Sequence, residues 1–314
     1  MYSLSIIILN FNTFELTCQC ISSIYETNKS ISDIEIIVID NGSREKTETE
    51  FSDLFPSIIF YKNEKNLGFA QANNIGLNLA SKEYVLLLNS DVLLTVKDTL
   101  FRCLEKIHSF DVPVILSPSL KSENGNYQVS YGPLPSIGRE ILLSLFIHKI
   151  FPAYLKKKLL FKFISDEERE IPKGWLAATC LFFKRELLEG LPKERLYDQT
   201  FLYGEELFWG YFWSEIGIIQ YYYDKEHVVH LVGQSSKANY DYTVKKRKAY
   251  QIYGEYLFLK FRYNKILLWF FYIIRLFRLS ILSVFNKNLI LIRSMTTDIV
   301  LSRFVTKYPF IVEN

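Results

Sequence analysis

Tyr84-Val85-Leu86-Leu87-Leu88-Asn89-Ser90-Asp91 passes from apolar to small polar side chains without an intervening turn. An unbroken apolar run of this length is the mark of a strand covered on both faces, as in a parallel sheet wrapped by helices. In open parallel sheets ligands lie outside the carboxyl ends of the strands. The polar end of this stretch therefore matters only if the other strands end the same way, and they do. Leu4–Leu9 is followed by Asn10 and Asn12, and Ile34–Ile39 by Asp40, Asn41 and Ser43. Ile58–Tyr61 is followed by Asn63, Asn66 and Gly68. One such loop reflects turn chemistry, but four on a single rim predict a ligand site.

Between these strands the apolar period changes to that of a helix. Leu16, Cys20, Ile21 and Ile24 fall on one side of Thr13–Glu26, and Phe69–Leu79 and Thr95–Ile107 read the same way. Val114–Leu116 gives a fifth strand. This alternation predicts an α/β fold, with a mostly parallel sheet flanked by helices. Beyond about Ser119 the rhythm breaks. Lys121–Tyr131 reads as a hairpin turning at Asn124-Gly125, and Ile137–Phe163 as a hydrophobic cover ending near Lys156-Lys157-Lys158. Lys173–Lys184 reads as strand, Thr200–Ile216 as a loop entering an aromatic helix, and Gln220–Tyr223 and Val228–Leu231 as closing strands. From Lys245 onward the pattern is helical.

The chain has 314 residues, nearly half of them apolar, with 13 Gly and 9 Pro. That is ample for a buried core and excludes a disordered or repetitive chain. Cys18, Cys20, Cys103 and Cys180 form no metal-ligand or Cys-x-x-Cys pattern, and the N-terminus lacks a positive leader. Free thiols without an export signal point to the cytoplasm. Charge is unevenly spread: residues 240–314 hold 13 Lys/Arg against 4 Asp/Glu, whereas the rest holds 24 against 30. A basic, aromatic tail fits an anionic surface, and equally an ordinary solvated basic face.

The rim lacks both Gly-x-Gly-x-x-Gly and a Walker A loop, so an anionic ligand needs another source of positive charge. Mg²⁺ or Mn²⁺, held by one or two carboxylates together with substrate phosphates, supplies it. Asp91 is the candidate ligand, while Asp40 is better placed to bond a base or ribose.

Several stretches together resemble glycosyltransferase family 2, with its Rossmann-like GT-A fold. They are Ser5-Ile6-Ile7-Ile8-Leu9-Asn10-Phe11-Asn12, Ile37-Val38-Ile39-Asp40-Asn41-Gly42-Ser43, Asn66-Leu67-Gly68-Phe69-Ala70-Gln71-Ala72-Asn73-Asn74-Ile75-Gly76 and Leu86-Leu87-Leu88-Asn89-Ser90-Asp91-Val92. Phe201-Leu202-Tyr203-Gly204-Glu205-Glu206 resembles the family's acidic acceptor-side motif, and His227–Ser235 its closing His and Gly-x-Ser segment. The wording is most similar to the rhamnosyltransferase-like branch of polysaccharide biosynthesis.

The resemblance implies a nucleotide-sugar donor and a saccharide acceptor, lipid-linked in one version, with no nucleic acid. It implies an inverting transfer with Glu206 as catalytic base, Glu205 being the other candidate. Asp91 and His230 would serve the metal. Asn10, Asn12, Asp40, Asn41, Asn66, Gly68, Asn73 and Asn89 would face the donor, and Trp175 and Tyr203 the acceptor. It also implies a glycosyltransferase domain over 1–240, split near 118 into nucleotide-binding and acceptor halves, followed by a helical region over 241–314. Three departures stand out: Asn89 replaces the first acid of Asp-x-Asp, Glu206 replaces the usual Asp, and Phe208 and Phe212 replace polar residues.

Each role has a plainer rival. Asp91 can cap a following helix, Glu205 and Glu206 can be solvated charges at a helix start, and His230 and Trp175 can be core residues. A sugar-nucleotide pyrophosphorylase is excluded by the missing Gly-rich loop and activating Lys, whereas a catalytically silent sugar-binding or scaffold protein remains. In the tail, Ile266–Ile274 is too short to span a bilayer. Residues 260–293 fit an interfacial helix on the inner membrane face, with Lys260, Arg262, Lys265, Arg275 and Arg278 near headgroups. A helix packed on the protein's own core, or a homodimer contact, fits the same residues.

Overall fold

The computed structural model describes residues 2–44, 48–146, 167–231 and 240–308. Strands β1 (Ser3–Asn10), β2 (Asp33–Asp40), β3 (Ile59–Lys62) and β4 (Tyr84–Asn89) pair in the parallel order β3-β2-β1-β4. Helices α1 (Phe14–Thr27), α2 (Glu48–Leu54) and α3 (Phe69–Leu79) connect them. Successive side chains of a strand face opposite layers, which explains the unbroken apolar runs. Ile6, Ile8, Leu86 and Leu88 pack on one side of the sheet, while Ile7, Val85 and Leu87 pack on the other. The strand order reverses at β1, which has β2 on one side and β4 on the other, so Asn10 and Asn89 end neighbouring strands at the switch point.

The second half is mixed rather than parallel throughout. It contains β5 (Val92–Leu93), α4 (Thr99–His108), β6 (Val114–Lys121), β7 (Tyr131–Pro133), α5 (Ile137–Ser144), β8 (Arg169–Glu170) and β9 (Gly174–Leu176), then β10 (Cys180–Lys184), α6 (Glu205–Glu215) and β11 (Ile219–His230). β10 runs antiparallel between β4 and β6, and β11 returns parallel to β6 and antiparallel to β5. The two closing strands of the sequence reading are one strand, with a register shift between Tyr223 and His227. The helix read from Thr95 begins only at Thr99, because Val92–Leu93 is spent on β5 and Asp98 adopts a left-handed φ of 57°. The hairpin turning at Asn124-Gly125 is present, closed by a bridge between Lys121 and Tyr127. Of the hydrophobic cover over 137–163, only 137–146 lies inside the described residues; Lys156-Lys157-Lys158 lies outside them.

Four helices follow: α7 (Tyr240–Arg262), α8 (Lys265–Phe285), α9 (Asn288–Val300) and α10 (Phe304–Lys307). They share a core of their own, including Leu259, Phe271, Tyr272, Met295 and Phe304, which also takes in Phe201 and Tyr203 from the sheet domain. The apolar run extends well beyond Ile274, and α8 is long and apolar enough by composition to cross a membrane. Its arginines, however, are not at headgroup positions. Arg275 bonds Glu255 at 2.5 and 2.8 Å, and Arg278 bonds Glu140 of α5 at 2.6 and 2.9 Å. Both guanidiniums thus turn inward. The opposite face bears Ile266, Phe270, Ile273, Phe277, Ile281 and Val284, all exposed, at spacings of three or four residues.

Candidate active site

The rim loops are tied to one another before they touch any ligand. The Asn10 amide donates to Asp40 at 3.0 Å and to Ser43 at 3.2 Å, while its carbonyl accepts from Thr13 and Thr17. Asp40 also accepts the Ser43 backbone N–H at 2.7 Å. Asn41 is the equivalent knot for the next loop: it accepts from Asn63 and the Leu67 N–H, and donates to Asn66 and the Gly68 carbonyl. Asn10, Asp40 and Asn41 are buried, so they shape the rim from beneath. Asn73 is buried too, its amide returned to the Phe69 carbonyl of its own helix. The groups left facing outward are Asn12 and Phe11, both exposed, and Asn66, Asn89, Ser90 and Asp91, all half-buried. Phe11, an exposed ring between two rim asparagines, was not marked by the sequence patterns.

Asp91 and His230 lie 139 residues apart in the chain, and the β5–β11 pairing brings them together. The carboxylate oxygen is 3.3 Å from Nε2, and the Leu231 N–H donates to the Asp91 carbonyl. Asp91 leads into a strand, which removes its rival role as a helix cap. Gln128, from the 121–131 hairpin, donates its amide to the His230 carbonyl at 2.8 Å, and its oxygen meets Nδ1 at 2.8 Å. With the Gln128 nitrogen committed to the His230 carbonyl, its oxygen accepts from Nδ1, and Nε2 is left facing the Asp91 carboxylate. A positive charge between Nε2 and the carboxylate, whether a proton shared by the two or a bound cation, would serve both groups. A hard divalent cation fits the donor set, since oxygen and imidazole are both suitable ligands. Among the described residues no third His, Cys, Asp or Glu joins the pair.

Glu205 and Glu206 open α6 and are not solvated charges. Tyr203 and Gly204 precede them with φ of 62° and 96°, a left-handed pair that aims the helix start. Gly204 is required there twice over, because a Cβ on it would come within 2.6 Å of Gly254 in α7. Glu205 is buried, within 3.4 Å of the Thr200 hydroxyl, whereas Glu206 keeps partial exposure. Burial, and then the neighbouring Glu206, push the Glu205 carboxyl well above its ordinary range. Burial raises Glu206 as well, while the backbone N–H groups of Glu206, Gly204 and Ala178 pull it part of the way back. Carboxyls raised in this manner are suited to proton transfer near neutrality.

The loop before α6 is gripped from the donor side. Its Phe201 carbonyl accepts the Phe69 N–H at 2.8 Å, and Asn74 exchanges two bonds with the Leu196 backbone, at 2.9 and 3.1 Å. Gly68, at φ 84°, lies under that same Phe201 carbonyl. Trp175 of β9 lies with its indole against Gly132 and packs on both core layers, remaining half-buried. The Phe208 and Phe212 departures have a packing cause. Phe208 stacks on Tyr197 at 4.0 Å and meets Phe258 of α7 edge-on, and Phe212 meets Phe261. They are the aromatic contact by which the C-terminal helices hold α6.

The model of glycosyl transferase family 2 matches residues 5–190. An uncharacterized glycosyltransferase of Methanocaldococcus jannaschii is 26% identical over 166 residues, covering 49% of this chain and 57% of that protein. The poly(ribitol-phosphate) β-N-acetylglucosaminyltransferase TarP of Staphylococcus aureus is 34% identical over 97 residues, 30% of each chain. The chain thus spans less than two thirds of the length of these relatives. Among solved structures, a mannosyltransferase of Pyrobaculum calidifontis in complex with GDP-Man and Mn²⁺ superposes with a TM-score of 0.53 at 16% identity, covering 84% of this chain and 65% of that one. At that identity the likeness is one of fold, the GT-A arrangement.

Proposed function

The chain belongs to glycosyl transferase family 2, and from that premise we propose that it transfers a sugar from a nucleotide-sugar to an acceptor hydroxyl with inversion. The observation carrying this reading is the Asp91–His230 pair at 3.3 Å at the strand-order switch, with Gln128 turning Nε2 toward the carboxylate. Asp91 and His230 would hold Mg²⁺ or Mn²⁺, which when bound offsets charge on the leaving diphosphate. The single carboxylate left by Asn89 fits a metal whose remaining ligands come from the donor. Asn12, Asn66 and Asn89 line the donor side, with Phe11 offering its ring to the base, while Asn10, Asp40, Asn41, Asn73 and the buried Gly68 keep those groups in place.

Glu206 is the base in this reading because it combines a raised carboxyl with access to the cleft; Glu205, enclosed beside it, is not reached by an acceptor. Glu206 takes the acceptor hydroxyl proton as that oxygen bonds the anomeric carbon. The bond from that carbon to the diphosphate oxygen breaks, and the nucleoside diphosphate leaves with the electron pair. Tyr203 and the partly exposed edge of Trp175 flank the acceptor side. TDP-rhamnose or a UDP-sugar is the donor and a cell-surface polysaccharide precursor the acceptor.

The C-terminal helices hold the enzyme on the inner face of the cytoplasmic membrane. Between Tyr256 and Thr297 the chain carries 7 Lys/Arg and no Asp/Glu. The stripe from Ile266 to Val284 runs the length of α8, about 30 Å at 1.5 Å per residue. An apolar face outward and half-buried, carboxylate-paired arginines inward describe a helix lying in the interface rather than crossing it.

The test is thermal stabilisation by UDP-, GDP- and TDP-linked sugars, with and without Mn²⁺, on the wild type and Asp91→Ala. One donor should raise the midpoint only with metal, and Asp91→Ala should abolish the shift. No stabilisation by any donor class favours the silent scaffold instead.

A further inference from the structure

Helix α7 does more than cover the sheet domain, because one of its faces reaches the loop that carries the base. A Cβ on Gly254 would come within 2.3 Å of the Tyr203 carbonyl, and the Tyr250 ring lies 5.7 Å from that of Phe201. Between them the seam opens into a cavity of about 300 Å³ lined by Thr200, Phe201, Tyr203, Tyr250, Tyr253 and Gly254. Arg247 stands three residues before Tyr250 and seven before Gly254, so all three occupy the same face of α7.

Arg247 is half-buried, yet it makes no ion pair or hydrogen bond with any described residue. The arginines of α8 behave otherwise: Arg275 and Arg278 each find a carboxylate within 3 Å. A guanidinium taken partly out of water without a partner is costly. Its electrostatic neighbour is the Tyr203 phenol, which also senses Glu206, Glu205 and Asp91. One ring therefore lies within range of the candidate base, the candidate metal ligand and a cation from the C-terminal helices that has no ion-pair or hydrogen-bond partner among the described residues.

We propose that Arg247 is a donor-binding residue that grips the diphosphate of the nucleotide-sugar from the α7 side, while the Asp91–His230 pair takes it from the β5–β11 side. A planar guanidinium offers two parallel donors to the oxygens of one phosphate, a geometry an ammonium lacks. The C-terminal helices then complete the site as well as anchoring it. This rests on the nucleotide-sugar reading above.

The experiment titrates UDP, GDP and TDP, and the corresponding nucleosides, into wild type, Arg247→Ala and Arg247→Lys by calorimetry with Mn²⁺ present. For the nucleoside diphosphate that wild type prefers, Arg247→Ala should bind roughly 10–100-fold more weakly, with Arg247→Lys between. Nucleoside affinity should not move, nor should the circular dichroism spectrum. Equal diphosphate affinity in Arg247→Ala overturns the proposal, and so does a parallel loss for the nucleoside, which marks a packing role. If wild type itself binds no nucleoside diphosphate, the donor reading has failed and takes this one with it. Should Arg247→Ala not fold, Arg247→Gln keeps much of the stem and removes the charge, allowing the same comparison.

Discussion

In the sheet, β1 and β4 place isoleucine and leucine inside and end on asparagine, serine and aspartate at the rim. In α8 the arrangement is reversed: Arg275 and Arg278 point into the protein, and Ile273, Phe277 and Val284 point out of it. The sheet is built for water outside and a polar ligand at one edge. The helix pairs its charges with Glu140 and Glu255 inside and leaves about 30 Å of apolar side chains uncovered by the described residues, which is costly in water and favourable in lipid. On the proposed function this opposite polarity would separate two jobs, chemistry at the rim and anchorage at the tail. Phe208, Phe212 and the Gly204–Gly254 contact join them.

The largest expected effect separates those jobs outright. Glu206→Gln keeps the shape of the side chain but removes the base, so turnover should fall by roughly 10²–10⁴-fold. Binding of the nucleotide-sugar and of vesicles should be retained. Turnover close to wild type would move the base to another group, Glu205 first. Loss of vesicle binding in the same variant would show that the two regions are not separable.

A second variant attacks the tail alone. Phe277 is 60% exposed on the middle of the stripe, and Phe277→Asp places a charge where acyl chains would lie. Sedimentation with anionic vesicles should weaken by roughly 10–100-fold, the worth of one buried aromatic side chain. Thermal stability in solution and turnover on a soluble acceptor should stay as they were. Unchanged vesicle binding would leave the stripe to another partner, a second copy of the chain being the first to examine by its oligomeric state.

Legibility in the sequence follows the same division. β1, β2 and β4 are readable because burial on both faces leaves an unbroken apolar run, β3 is a short, largely exposed edge strand, and the switch point follows from where the buried runs end. The Asp91–His230 meeting rests on resemblance alone, since a pairing of two residues at each strand has no local pattern. The network role of Asn10, Asp40 and Asn41 is hidden for a related reason: a polar residue after a strand looks the same whether it faces a ligand or ties two loops. Gln128 sits in a hairpin with nothing to single it out. Arg275 and Arg278 misled because an arginine in an apolar helix says nothing of its partner, and Glu140 lies 135 residues from Arg275.

The smallest effect compares one buried carboxylate from each region. Glu205 has no cation beside it among the described residues, and burial raises it well above its ordinary value of 4.5. The native state therefore keeps a proton there that the unfolded chain releases, so stability falls as pH rises between those two values. Glutamine imitates the protonated form. Glu205→Gln should match wild type in melting temperature near pH 4.5 and exceed it by a growing margin toward neutrality, levelling off above the native value. Glu140, bonded by Arg278 at 2.6 Å and facing Arg275 at 3.4 Å, should answer in the opposite sense, since Glu140→Gln leaves two half-buried guanidiniums short of charge. A Glu205→Gln variant less stable than wild type at neutral pH would mean that its carboxylate is charged and paired, and the contrast between the two regions would narrow to their surfaces.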